Sequence, residues 1–167
     1  MEISQTLSRY FDLFFGLPLH PLVVHGVVVL VPLFALYVAY RVVKGKVISR
    51  NAMFVGVILL VISAASRLSG EALASRIGYE SIEETGHLNA GNIYPLTIFG
   101  FLVLVWLYNK SMQRRRNSRW WFAPLVKGLV VVSSVAILLF TLWTGHTGAT
   151  SHWQGVRDYT EFGDRQP

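Results

Sequence analysis

Residues 22–43 read LVVHGVVVLVPLFALYVAYRVV, and the only charge in the run is Arg41, next to its end. At about 1.5 Å of rise per residue such a run crosses the roughly 30 Å hydrocarbon core of a bilayer. Its apolar residues are continuous, without the spacing of an amphipathic surface helix, so it reads as a membrane span. A basic turn with Lys44, Lys46 and Arg50 closes it.

Three further runs follow the same logic. Residues 52–66 are short for a span, so the helix is expected to continue through RLSGEALASRIG and to carry Arg67 near the membrane interface. The third run is 93–108, preceded by the polar stretch GYESIEETGHLNAGN. The basic segment KSMQRRRNSR separates it from the fourth, which runs from about Trp120 to Trp143. Lys127 lies inside the fourth run, near enough to its basic end to snorkel toward headgroups. The expected fold is an all-α, four-helix transmembrane bundle over residues 19–156, with an N-terminal segment (1–18) and a polar C-terminal tail (157–167). In the N-terminal segment, Ile3, Leu7, Tyr10, Phe11 and Phe14 fall at helical spacing, which predicts a short amphipathic helix along the membrane surface. No repeat or low-complexity segment is evident.

Composition agrees: 53% of the 167 residues are hydrophobic and 14% charged, unlike a water-soluble domain. Ten of the fifteen Lys and Arg belong to the two basic turns and their flanks, while the nine Asp and Glu fall in the N-terminal segment, the polar middle of the chain and the tail. By the positive-inside rule the basic turns face the cytoplasm and both termini lie on the non-cytoplasmic side of a bacterial inner membrane. The net charge of +6 is thus a topology signal, and no nucleic-acid partner is expected. Tyr37, Tyr40, Trp106, Tyr108, Trp120 and Trp121 suit the inner interface, and Trp143 and Trp153 the outer one. The start MEISQTLSRYF lacks the basic and apolar regions of a cleavable signal peptide, so the first span is expected to be retained.

The chain has no cysteine, which leaves out disulfides, thiolate metal sites and covalent c-type haem attachment. It has five histidines, His20, His25, His87, His146 and His152, all in the outer half of this topology. Counting about 1.5 Å per residue from the cytoplasmic ends puts His20 and His87 roughly 30 Å up, His146 slightly higher and His25 roughly 22 Å up. Imidazoles at one level on different helices are how four-helix bundles hold haem or a metal ion. Gly26, Gly86 and Gly145 adjoin three of them, and glycine permits close approach of a flat macrocycle. Arg67, at the same end, could pair with haem propionates. His152 fits a plain interfacial role.

Three motifs stand out: LHPLVVHG at 19–26, GHLNAG at 86–91 and GHTGA at 145–149. On these the chain resembles the bacterial membrane proteins grouped as domain of unknown function 2231. Their pattern runs LHP-x-x-VHFP, then a second-span end rich in small residues with a glycine, a histidine before the third span, and GHxGG near the end. The resemblance implies the four-helix fold and carries the family's recurring histidines onto His20, His25, His87 and His146. After GHTGA the chain reads GATSHWQGVRD where the family tends to GGxLVYxHGVG, so a last histidine is lost or displaced to His152.

The first functional expectation is a b-type cytochrome, with one or two haem b groups held by histidine pairs near the outer face. Such a protein works as an electron-transfer subunit with a redox protein or quinone partner, within a larger complex or oligomer. The second is a copper or zinc site on His20, His25, His87 and His146, with Glu83 or Glu84 nearby. The third is a cofactor-free scaffold whose histidines join helices. There is no H-E-x-x-H motif, nucleophile elbow or phosphate loop, so stand-alone catalysis has little support.

Overall fold

The computed structural model describes residues 13–14, 17–77, 86–113 and 122–163, with side chains for 19–75, 86–113 and 122–150. Four helices make the fold: α1 (Leu19–Val43), α2 (Arg50–Ile77), α3 (His87–Gln113) and α4 (Phe122–Gly163). Among the described residues, all four are long and apolar enough to cross a membrane, so the chain is an integral, multi-pass membrane protein. Two short strands, β1 (Leu13–Phe14) and β2 (Leu17–Pro18), pair antiparallel just before α1, with Leu13 opposite Pro18. Phe14 is therefore extended, and the expected amphipathic helix over Ile3, Leu7, Tyr10 and Phe11 lies outside the described residues.

Each helix packs against its two neighbours in a closed square, α1–α2–α3–α4–α1, which puts α1 and α3 on one diagonal. The second helix continues past Ser66 as its short apolar run required. The fourth extends about twenty residues beyond Trp143, since 144–163 contains no proline and its isolated glycines do not stop a helix. The inward stripe of α1 is Val27, Val31, Phe34, Ala35, Val38 and Val42, at steps of three and four; Leu30, Leu33 and Leu36 face lipid. Lipid is as apolar as leucine, so the helices are held by close packing and polar contacts. At Gly56 a Cβ would lie 2.5 Å from Leu102 Cδ2 and 2.8 Å from Phe34 Cζ, so α2 comes near its neighbours only because that side chain is absent.

The basic end is tied by hydrogen bonds. Helix α1 stops at Gly45 (φ 67°), where Lys46 N–H donates to the Arg41 carbonyl (2.9 Å) and Gly45 N–H to the Val42 carbonyl (3.0 Å). This is a Schellman cap, which needs the left-handed residue that glycine supplies. Asn109 on α3 clamps the turn on both sides: its Oδ1 accepts from Ile48 N–H (2.8 Å) and its Nδ2 donates to the Ile48 carbonyl (3.0 Å). Lys127 reaches the basic end as expected, but its ammonium donates to the Val43 carbonyl (3.1 Å), where the negative end of the α1 dipole favours a cation.

The two hairpins share a pattern of buried positions, although no repeat is evident in the sequence. A shift of 67, the distance from His20 to His87, carries buried Val27, Val31, Phe34, Ala35 and Val38 onto buried Tyr94, Ile98, Phe101, Leu102 and Val105. A shift of 78, from Gly70 to Gly148, carries buried Leu59, Ser63 and Ser69 onto buried Ile137, Thr141 and Thr147. The eleven extra residues lie at the basic end of the second hairpin. The correspondence lies in burial and hydrogen bonding, and the side chains at matching positions mostly differ.

Candidate functional site

The repeat is clearest where α1 and α3 begin. On α2, the Ser69 hydroxyl donates to the Ser66 carbonyl (2.9 Å), so its oxygen is left to accept. The His20 Nδ1 lies 3.0 Å from that carbonyl and 3.3 Å from Ser69 Oγ. Both neighbours are acceptors, so Nδ1 carries the proton, and in the neutral ring Nε2 keeps its lone pair. The second hairpin repeats each part. The Thr147 hydroxyl donates to the Thr144 carbonyl (3.0 Å), and His87 Nδ1 lies 3.2 Å from that carbonyl and 3.4 Å from Thr147 Oγ1.

A glycine completes each seat. A Cβ at Gly70 would stand 2.9 Å from His20 Cε1, and one at Gly148 would stand 2.8 Å from His87 Cε1. These distances are well inside van der Waals contact, so neither seat admits alanine without moving the ring. The sequence pattern is S-x-x-S-G on α2 and T-x-x-T-G on α4. Each lies one helix away from the histidine it holds, so it does not show among the histidines' own neighbours in the chain.

The two seated rings meet at the centre of the bundle. Their centroids are 6.3 Å apart and their planes cross at 78°. Deeper in the bundle, Tyr94 Oη and Thr141 Oγ1 form a buried hydrogen bond of 2.5 Å. Two imidazoles with Nδ1 anchored form, when neutral, a donor pair of the kind that binds metals, since the anchoring bond fixes tautomer and orientation.

The other expected site residues fall elsewhere. His25 is exposed to the lipid side, and its Nδ1–H is engaged by the Pro21 carbonyl one turn back. His146 is also exposed, and the side chain of His152 lies outside the described residues, as do Glu83 and Glu84. Arg67 Nε donates to Asn92 Oδ1 (2.8 Å), bridging α2 and α3. Gly86, which adjoins His87, has φ 67°, a backbone reason for glycine at the start of α3. Among the described residues, no group of three or more His, Cys, Asp and Glu side chains is placed to share a metal ion. A volume of about 350 Å³ lies in an apolar groove between α1 and α2, lined by Leu30, Leu33, Phe34 and Tyr37 among others, toward the basic end and away from the rings.

Fold and site together define a class: a four-helix membrane protein in which two helices on one diagonal bring a pair of seated imidazoles together at one end. The chain belongs to the family described as predicted membrane protein DUF2231, whose model matches residues 16–158. No curated protein and no solved structure shows a significant match to the chain.

Proposed function

We propose that the chain is a membrane b-type cytochrome in which His20 and His87 hold a single haem b near the non-cytoplasmic face. The observation that carries this reading is the ring pair, 6.3 Å between centroids with both Nδ1 atoms anchored. Were both Nε2 atoms turned to one point between the rings, a nitrogen–metal bond of about 2.0 Å plus about 1.1 Å from nitrogen to ring centroid, taken twice, would give roughly 6.2 Å. The donor count supports haem in the same way. A macrocycle supplies four nitrogens and needs only two protein ligands, whereas a protein-only zinc site needs three or four. Haem, when bound, supplies one-electron chemistry.

The chain's own residues have defined tasks. Ser66 and Thr144 carbonyls hold the rings in the Nδ1–H tautomer, and Ser69 and Thr147 restrict their rotation. The Arg67–Asn92 bond ties α2 to α3 at the same end. With the basic turns in the cytoplasm, the site lies near the outer face, and one centre there does not carry electrons across a core of roughly 30 Å. Function therefore requires a membrane quinol or redox protein at that face, within a larger assembly.

The test is a visible spectrum of the detergent-purified protein from haem-replete cells, oxidised and then dithionite-reduced. A Soret band with sharp α and β bands on reduction, lost in His20→Ala and in His87→Ala but kept in His25→Ala, is expected. A colourless wild-type protein overturns the reading. The ring spacing also favours a second one, a copper ion that the same two imidazoles would hold, and metal analysis of the same sample separates it from a metal-free scaffold.

A further inference from the structure

The basic end of the first hairpin carries cations without counter-charges. Arg41, Lys44, Lys46 and Arg50 crowd into one turn and its flanks, and residues 13–70 contain no Asp or Glu. The Arg41 head is fixed there, since its Nη2 donates to the Val47 carbonyl (2.7 Å). Lys44 still donates its backbone N–H to the Tyr40 carbonyl as in a helix (3.1 Å), and its side chain is exposed.

A groove runs inward from these cations. It holds about 350 Å³ between α1 and α2, with Leu30, Phe34 and Tyr37 on one wall and Val55 on the other. Those three α1 residues lie at steps of four and three, and the same steps continue to Arg41 and Lys44, so the apolar stripe ends in two positive charges. From Leu30 to Arg41 is about 16 Å along the helix, close to the half of a roughly 30 Å core that the acyl chains of one leaflet fill. The neighbouring groove between α2 and α3 is smaller, about 200 Å³, and Lys110 at its basic end stands over the Trp106 ring, 5.7 Å from the centroid.

We propose that the α1–α2 groove binds one anionic phospholipid, with an acyl chain along Leu30, Phe34 and Tyr37 and the phosphate at Arg41 and Lys44. Both halves of the ligand are specified: the apolar trough takes the chain, and a guanidinium and an ammonium take the phosphate. A zwitterionic headgroup brings its own cation to a place that has no carboxylate to receive it. A second copy of the chain, seated on the same face, would set like charges against each other. The groove lies away from the ring pair, so the presence or absence of haem leaves it unchanged.

The experiment is photolabelling of the full chain in phosphatidylethanolamine vesicles with a trace of phosphatidylglycerol that carries a diazirine in its acyl chain, and mapping of the label by mass spectrometry. Label on residues 30–37 and 52–59 is expected, competed by unlabelled phosphatidylglycerol and not by phosphatidylcholine. Lys44→Gln should lower this label about fivefold, the equivalent of about 1 kcal/mol for one cation near the surface. Val55→Phe, which fills the groove, should lower it at least as much. Both positions are exposed, and far-UV circular dichroism checks that both variants keep their helices. Equal label from a phosphatidylcholine analogue, equal label in the α2–α3 groove, cross-linking of two copies through this face, or indifference to either substitution overturns the proposal.

Discussion

Adding one methyl group to either imidazole seat, at Gly70 or Gly148, should destabilise the bundle, and adding it at Gly145 should not. In Gly70→Ala the new Cβ would lie 2.9 Å from His20 Cε1 and 3.1 Å from Nδ1, where ordinary carbon contacts need about 3.5 Å or more. The ring must retreat by about 0.6 Å, which stretches the 3.0 Å bond from Nδ1 to the Ser66 carbonyl beyond useful length. That bond contributes about 1 kcal/mol, and the crowding costs about 1–3 kcal/mol. Alanine returns about 0.5–1 kcal/mol of helix propensity, leaving a net loss of roughly 1–3 kcal/mol. Gly148→Ala, with its Cβ 2.8 Å from His87 Cε1, should match it within about 0.5 kcal/mol if the two seats are equivalent. Gly145→Ala meets nothing within 4 Å and keeps the propensity gain, so it should be neutral or stabilising. Reversible unfolding in mixed micelles titrated with SDS, followed by far-UV circular dichroism, measures all three. Stabilisation by Gly70→Ala or Gly148→Ala, or a loss in Gly145→Ala as large as theirs, would refute the duplicated seat.

Asn109→Ala leaves the backbone N–H and carbonyl of Ile48 without their side-chain partner and should cost about 2 kcal/mol, with faster hydrogen exchange at Ile48 as the local sign. Tyr94→Phe removes the phenol from Thr141 but not the ring that stacks on Phe140 at 5.6 Å, so a loss near 1 kcal/mol in the same unfolding assay is expected. Alkaline phosphatase fused after residue 167 should be active and a fusion within 114–119 inactive, because the enzyme folds only outside the cytoplasm; the opposite pattern would reverse the orientation.

The bundle was legible in the sequence because the membrane imposes a length and polarity code on each helix. Runs such as 22–43 and 120–143 announce themselves, and the short run at 52–66 has to borrow residues through Arg67 to reach across. The site was half legible. Depth along the helices picked out His20 and His87, but the same count also favoured His25 and His146, which the structure leaves exposed. Depth fixes height and not azimuth: His20 and His25 are five residues apart, about 500° of turn, so they leave the helix in different directions. The seats were not seen because their signal is a serine or threonine pair followed by glycine, common in membrane helices, and its meaning comes only from a histidine on another helix. The likeness of the two hairpins was not legible because they share burial and hydrogen bonding more than residue identity.

Because each imidazole is seated within its own hairpin, the site is prefabricated in two parts. The first hairpin carries His20 and its S-x-x-S-G cradle, and the second carries His87 and its T-x-x-T-G cradle. Each hairpin carries the groups that orient its own ring, so joining the halves requires no exchange of seat residues. The extra residues of the second hairpin lie at the far, basic end, where a longer or shorter tether leaves the meeting of the rings undisturbed. Separately expressed hairpins, cut within 114–121, would be expected to find each other in the membrane as two subunits of a dimer do.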